Sequence, residues 1–248
     1  MKFIYPNNGV LSSASSELDS APAANITESH ANNSWLADTG DSSPTITIEV
    51  SSGSAVLVYK ILATAITITV RNGVGTTVKT QTWDLTATEE YGVENHVDHV
   101  WLEYPEQTGT HTITAALTRG SYLYAGIGIM CAGKLRGAFP NPKYGDFSAE
   151  SEDYSLIIQL SGGVEHAIQD NIQRICPATL QIEDSSKANA FMRFGKLVGK
   201  NAPFGCKIHD TATPEENYLI YARLDSPPKL QPASYRKNTI TFTLREFL

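Results

Sequence analysis

Several stretches of the chain alternate between apolar and polar residues. Residues 45–50, 66–71 and 239–247 have an apolar residue at every second position over most of their length, and threonines fill many of the positions between. Successive side chains of a strand point to opposite faces, so this period of two predicts strands with one buried face and one hydrated face. The final strand is expected to run almost to the end of the sequence.

Shorter apolar stretches separated by turn residues extend this pattern. They predict strands at residues 56–62, 76–83, 98–104, 110–117, 122–135, 154–160, 164–168, 172–182 and 218–224. Asn72-Gly73 predicts a hairpin turn, as does the sequence at 161–163. Glycines at 126, 128 and 133 indicate bulges or the close approach of another backbone. Many short strands with turns between them are typical of a β-sandwich.

One helix is predicted near residues 186–198. Ser185 or Ser186 can cap its start and Gly199 can end it. The apolar stripe at helical spacing that predicts it comprises Ala188, Phe191, Met192, Phe194, Leu197 and Val198. The character of the chain changes near Leu135, where a proline- and glycine-containing stretch begins. The sequence therefore predicts an all-β protein: an N-terminal β-sandwich (jelly roll) at 1–135 and a smaller strand-rich domain with one short helix at 136–248.

The charge, the cysteines and the apolar runs of the chain exclude several kinds of partner and site. The formal net charge is -7 with 19 Lys and Arg against 26 Asp and Glu, which argues against a nucleic-acid partner held through its phosphates. The three cysteines, Cys131, Cys176 and Cys206, are too widely spaced for a zinc knuckle and are expected to be reduced and buried. No apolar run is long enough for a signal peptide or a membrane span, so we expect synthesis and assembly in a cytoplasm and no membrane insertion.

Candidate chemical sites are few. His96, Asp98 and His99 are close in sequence, but on a strand residue 99 points away from 96 and 98, so we interpret them as surface polar residues and not as a metal site. The carboxylate pairs at 89–90, 150–153 and 215–216 lie in polar, turn-like contexts that do not favour acid/base catalysis. No nucleophile elbow, phosphate loop or dinucleotide motif is present. We predict no catalytic residue, no metal and no cofactor.

The aromatic residues allow a binding function. Trp35, Tyr122 and Tyr124 could stack on a sugar at the rim of a sandwich, whereas Trp83 and Trp101 lie in strands and are expected to be buried. Trp35 is ambiguous because the rest of its segment is polar. Residues 7–44 (the N-terminal segment), the bridge at 136–145 and the connector at 226–232 have little predicted regular structure. Because such segments gain little burial in a monomer, we expect them to contact neighbouring subunits.

The order of 22–26, Trp35, 45–50 and 56–62 resembles the start of galactose-binding-like jelly rolls of the discoidin type. The continuation through 139–145, the Gly-Gly turn at 162–163 and the terminal strand resembles distal tail proteins of bacteriophage tail tips or baseplates. That likeness implies a non-enzymatic virion protein that forms an oligomeric ring with other tail proteins and is assembled in the host cytoplasm. A carbohydrate-binding module or adhesin for a host surface glycan is the alternative, and a hydrolase with a jelly-roll accessory domain is a third possibility.

Overall fold

The structure is a computed structural model. It describes residues 1–28, 33–86, 88–90, 93–95, 97–137, 139–143, 145–153, 156–159, 165–168, 172–209, 218–234 and 237–247. The chain divides into two compact units: unit 1 comprises Met1–Ala138 and Phe204–Tyr221, and unit 2 comprises Phe139–Pro203 and Ala222–Leu248. The boundaries therefore differ from the single division predicted at residue 135, because residues 204–221 belong to unit 1.

Unit 1 is built from strands and one short 3-10 helix at Ala23–Thr27. Its strands are β1 (Lys2–Ile4), β2 (Gly9–Ala14), β3 (Trp35–Leu36), β4 (Thr45–Val50), β5 (Gly53–Leu62), β6 (Ala65–Arg71), β7 (Thr77–Asp84), β8 (Thr88–Glu90), β9 (Val93–Asn95), β10 (His99–Gln107), β11 (His111–Thr118), β12 (Gly126–Gly133) and β13 (Leu135–Arg136). Unit 2 contains β14 (Glu150–Asp153), β15 (Leu156–Gln159), β16 (Glu165–Ile168), β17 (Ile172–Ile182) and helix α1 (Ser185–Val198). Then follow β18 (Phe204–Lys207) in unit 1, β19 (Leu219–Leu224), which the unit boundary divides, and β20 (Lys229–Ser234) and β21 (Lys237–Glu246) in unit 2.

Two antiparallel sheets form the predicted β-sandwich of unit 1. One has the order β2-β4-β11-β6-β7 and the other β10-β5-β12-β3. Ile113 lies opposite Ile48 on one side and Val70 on the other, and all three are fully buried between the sheets. The alternate threonines face outward, where Thr47 and Thr114 share a hydrogen bond of 2.9 Å. The alternation in the sequence is thus explained by one buried face, and the all-β fold class is confirmed.

A third set of strands, not predicted, covers the outer face of the four-stranded sheet. Strand β1 pairs with β13 and β18, and Leu57 Cδ2 lies 3.3 Å from the position that a Cβ on Gly205 would take. Leu57 and Tyr59 of β5 are buried on this side, whereas Val56 and Val58 belong to the sandwich core. Strand β5 is therefore covered on both faces, which explains its nearly continuous apolar sequence.

The described part of the N-terminal segment, residues 7–28 and 33–44, packs on its own chain. Strand β2 pairs with β4, β3 pairs with β12, and both Ile26 and Trp35 are fully buried in the sandwich core. This burial supplies the stabilisation that the sequence analysis expected from a neighbouring subunit. The expectation that residues 7–44 need another subunit for order is therefore wrong.

Unit 2 is a sheet with one helix on it. Strand β21 pairs with β17 along one edge, and with β20 and the end of β19 along the other, while β14 pairs with the start of β17. Helix α1 packs through Phe191, whose ring centroid lies 5.0 Å from that of Phe242 on β21. Asp184, and not a serine, caps the helix by accepting from the backbone N–H of Ser186, and Gly199 ends the helix with a φ of 57°.

Three local predictions differ from the structure. Leu197 of the predicted apolar stripe is 61% exposed, because it lies away from the buried side of α1. Residues 122–125 are not part of β12, since a turn precedes them in which Gly120 has a positive φ and the Tyr122 N–H donates to the Arg119 carbonyl oxygen at 3.3 Å. The connector at 226–232 contains most of β20, which pairs with β21 even though Pro232 removes one backbone donor. The turn at 161–163 lies outside the described residues, although the flanking strands β15 and β16 pair antiparallel.

A buried histidine makes the stability of unit 1 depend on pH. His111 Nε2 lies 2.9 Å from the Tyr104 hydroxyl and its Nδ1 lies 3.1 Å from the Gly109 carbonyl oxygen, so Nδ1–H donates to Gly109 and Nε2 accepts from Tyr104. Burial lowers the pKa of His111 from its ordinary value of 6.5, and the Gly109 carbonyl opposes this effect.

We expect the free energy of unfolding to decrease as pH falls below 6.5, because the unfolded chain then binds a proton that the folded chain does not. Denaturant unfolding at a series of pH values would measure this slope, which for one proton is at most about 1.4 kcal/mol per pH unit. His111→Gln should flatten the slope in this range. A slope in this variant equal to that of the wild type would contradict the assignment of the pH dependence to His111.

Candidate functional site

Two loops meet at one end of the sandwich in unit 1. The Arg119 backbone N–H donates to the Ser42 carbonyl oxygen at 3.2 Å, and the Arg119 Nη1 donates to the Thr39 carbonyl oxygen. These bonds hold the loop after β11, residues 119–125, beside the loop before β4, residues 37–44. We refer to this surface, formed by residues 15–16, 37–44 and 119–125, as the loop end.

An anchored carboxylate lies in the loop end. Asp41 Oδ2 accepts from the hydroxyls of Ser15 at 2.7 Å and Ser16 at 2.9 Å, and Asp41 Oδ1 accepts from the Ser43 backbone N–H at 3.1 Å. The Ser15 hydrogen bond is the main reason that the pKa of Asp41 lies below its ordinary value. Ser16, Ser43 and the Arg119 charge act in the same direction, and burial acts against them. Asp41 is therefore an ionised acceptor with a fixed orientation at neutral pH.

Aromatic and cationic groups lie in the neighbouring loop. Tyr122 and Tyr124 are half-buried, and Leu123 between them is 69% exposed. The Nε–H of Arg119 is buried and has no hydrogen-bond partner among the described residues. The tyrosine rings lie on the loop that Arg119 joins to the loop of Asp41. Such a surface offers aromatic rings for the apolar face of a ligand and charged groups for its polar groups.

Trp35 is not part of this surface. It is fully buried, and its Nε1–H donates to the Ser16 carbonyl oxygen at 2.9 Å. Because no face of the indole is accessible, we withdraw Trp35 from the candidate glycan contacts, while Tyr122 and Tyr124 stay predictions. Trp101 is 8% exposed and Trp83 is half-buried against the core.

His96, Asp98 and His99, interpreted from the sequence as surface polar residues, lie only partly within the described residues, because His96 falls outside them. The interpretation is wrong for His99, which is fully buried opposite Tyr59 of β5, with its Nδ1 2.8 Å from Asp98 Oδ1. Among the described residues, no group of three His, Cys, Asp or Glu side chains could hold a metal ion. The side chains of 89–90 and 215–216 are likewise outside the description, and Glu150 and Glu152 are exposed on β14.

The three cysteines are free and buried, as expected. Burial raises the pKa of Cys131 to about 12 and that of Cys176 to about 11. Both thiols are therefore protonated at neutral pH and are poor nucleophiles. No described helix is long and apolar enough to cross a membrane.

Sequence reasoning identified the tyrosines of the loop end but missed Asp41 and Arg119. The serines at 15 and 16 and the Asp41 carboxylate are separated by more than twenty residues, and Arg119 is a further 78 positions along the chain. The only local signal was the polar, turn-forming composition of residues 38–44 and 119–121.

No protein-family profile matches the chain, and no curated protein matches it in sequence. Solved structures are similar to about half of it. A chitosan-binding module from a Paenibacillus sp. chitosanase/glucanase is 15% identical, with 53% of this chain and 98% of that chain covered and a TM-score of 0.39. A family 32 carbohydrate-binding module of C. perfringens NanJ, solved in complex with galactose, is 18% identical with the same coverages and TM-score. Reduced XRCC1 bound to the DNA polymerase β catalytic domain is 10% identical, covers 53% of this chain and 98% of that chain, and has a TM-score of 0.36. At these values the likenesses assign no function to this chain.

Proposed function

We propose that this protein is a non-enzymatic carbohydrate-binding protein that holds a glycan at the loop end of unit 1. The proposal is based on two half-buried tyrosines, Tyr122 and Tyr124. They lie on a loop that Arg119 joins to the loop of Asp41. A tyrosine ring can stack on the C–H face of a pyranose, while a fixed carboxylate accepts from sugar hydroxyls. Such a site binds a ligand without chemical conversion.

The test is glycan-array screening of the full chain, followed by titration calorimetry with the best oligosaccharide. We expect Tyr122→Ala and Tyr124→Ala each to weaken binding about tenfold, which corresponds to 1.4 kcal/mol of lost stacking. Tyr122→Phe should retain most of the affinity because the ring is kept.

Val74→Ala is the matched control. Val74 is 86% exposed in the hairpin after β6, whereas residues 119–125 lie next to the start of that strand, so the control changes an exposed side chain at the other end of the sheet. Full affinity in a folded Tyr122→Ala/Tyr124→Ala double variant would refute the proposed site. Failure of the wild-type chain to bind any glycan of the array would refute the function.

A structural subunit of a phage tail tip or baseplate is the second candidate function. The observation that favours assembly is in unit 2, where Arg193 and Lys196 of helix α1 are exposed and the four exposed residues of β14 include three carboxylates. Neighbouring genes for a tape-measure protein and a tail hub, together with recovery of the chain in purified tails, would support this role. Its absence from such tails would refute it.

A further inference from the structure

Helix α1 has an unusual charge for this chain. Residues 185–201 contain no Asp or Glu, although the whole chain has a formal net charge of -7. Phe191, Phe194 and Val198 are buried, so the opposite side of the helix is the exposed one. Arg193 and Lys196 are exposed on that side, and Lys200 is exposed just beyond the end of the helix. We call these three residues the cationic face.

The cationic face is not neutralised within the part of the chain that the structure describes. No carboxylate of that part lies within ion-pair distance of Arg193, Lys196 or Lys200. The spacing 193/196 brings two like charges together on adjacent turns, which disfavours the helix by a few tenths of a kcal/mol. Lys200 follows the end of the helix and adds a third positive charge close by in sequence. Leu197, beside these cations, is 61% exposed. An acidic partner would relieve the repulsion and cover this leucine.

A second region of unit 2 has the opposite charge. The four residues of β14 are all exposed and include Glu150, Glu152 and Asp153. Arg245 donates to Glu152 at 2.8 Å and to Asp225 at 2.9 Å, and Arg174 lies 3.7 Å from Glu246. Arg223 on β19 lies opposite Arg245 and adds a third guanidinium group. The described part of this region, which we call the acidic edge, thus has five carboxylates against three guanidinium groups, an excess of two negative charges. The net negative charge of this region attracts a positively charged surface, and this attraction does not require any unpaired residue.

One copy cannot bring these two regions together. The acidic edge includes β14, which pairs with the start of β17 at residues 172–175, whereas α1 follows the end of that strand and directs its cations away from the sheet. Opposite charges at separate places on one rigid unit are complementary between copies. We propose that the cationic face of one copy docks on the acidic edge of the next, in a head-to-tail contact that can close into a ring. This contact does not depend on glycan binding.

Sedimentation velocity of the full chain tests the proposal. We expect concentration-dependent multimers at about 30 mM salt that dissociate at about 500 mM salt, where the Debye length is only a few ångströms. Arg193→Glu/Lys196→Glu and Glu150→Lys/Asp153→Lys should each weaken self-association at least tenfold. A mixture of these two variants should assemble again, because each supplies the charge that the other has lost; a folding defect could not produce that recovery.

Arg71→Glu/Lys79→Glu is the matched control, since it makes the same change of charge at exposed positions of unit 1. It should assemble like the wild type. A wild-type chain that stays monomeric at low salt, or a mixture of variants that stays monomeric, would overturn the proposal. Binding of heparin by a monomeric wild type, lost in Arg193→Glu/Lys196→Glu, would also overturn it and assign the cationic face to anionic polymers.

Discussion

Trp35→Ala is expected to lower the free energy of unfolding of unit 1 by about 3–5 kcal/mol, the range for removal of a buried large aromatic side chain. The indole is fully buried in the sandwich core, and its N–H satisfies the Ser16 carbonyl oxygen. Its loss therefore leaves a cavity and also leaves the Ser16 carbonyl oxygen without its donor. Equilibrium denaturation followed by circular dichroism would measure the change.

Trp83→Ala is the control for this prediction. Trp83 is only half-buried at the margin of the same core, so its removal should cost clearly less. Trp35→Phe should fall between the two, because it fills part of the cavity but leaves the Ser16 carbonyl oxygen without its donor. A loss below about 1 kcal/mol for Trp35→Ala would contradict the structural role assigned to this residue.

Gly133→Ala is expected to destabilise unit 1 by about 3 kcal/mol, the upper part of the range for overpacking. A Cβ at this position would collide with the carbonyl oxygen of Pro6, which is backbone and cannot rotate away. That backbone is held on both sides: the Tyr5 N–H donates to the Lys134 carbonyl oxygen at 3.2 Å, and the Asn8 N–H donates to that of Ala132 at 2.8 Å. Relief of the clash would therefore break these bonds between the N-terminal residues and the end of β12.

Gly109→Ala provides the comparison for Gly133→Ala. A Cβ at Gly109 would have no neighbour within 4 Å, and the variant should unfold at nearly the wild-type denaturant concentration. The measurement is the midpoint of urea unfolding, together with the yield of soluble protein. Equal midpoints for the two alanine variants would contradict the prediction, because they would show that the backbone near Pro6 can shift at little cost in stability.

The loop end shows why a site is harder to predict than a strand. Tyr122 and Tyr124 were candidates because aromatic residues at the rim of a sandwich can stack on a sugar. Asp41 and Arg119 were not, because nothing local distinguishes them from other charged turn residues. Their role follows from the hydrogen bonds that join residues 15–16, 37–44 and 119–125, and those contacts exist only after the sandwich has formed.

The sequence by itself determined most of the β-sandwich strands, the helix near 186–198 and the burial of the cysteines, but not β2 and β3. The spacing of apolar residues indicates which face of a strand or helix is buried. Strand Thr45–Val50 and helix α1 can be identified from this spacing alone. Only the tertiary structure decided what covers each face. It placed β18 in unit 1 over Leu57, fitted Trp35 into the core of its own chain, and separated the cationic face of α1 from the acidic edge. A local sequence pattern predicts whether a side chain is buried. Which residue it packs against depends on contacts between residues that are distant in sequence.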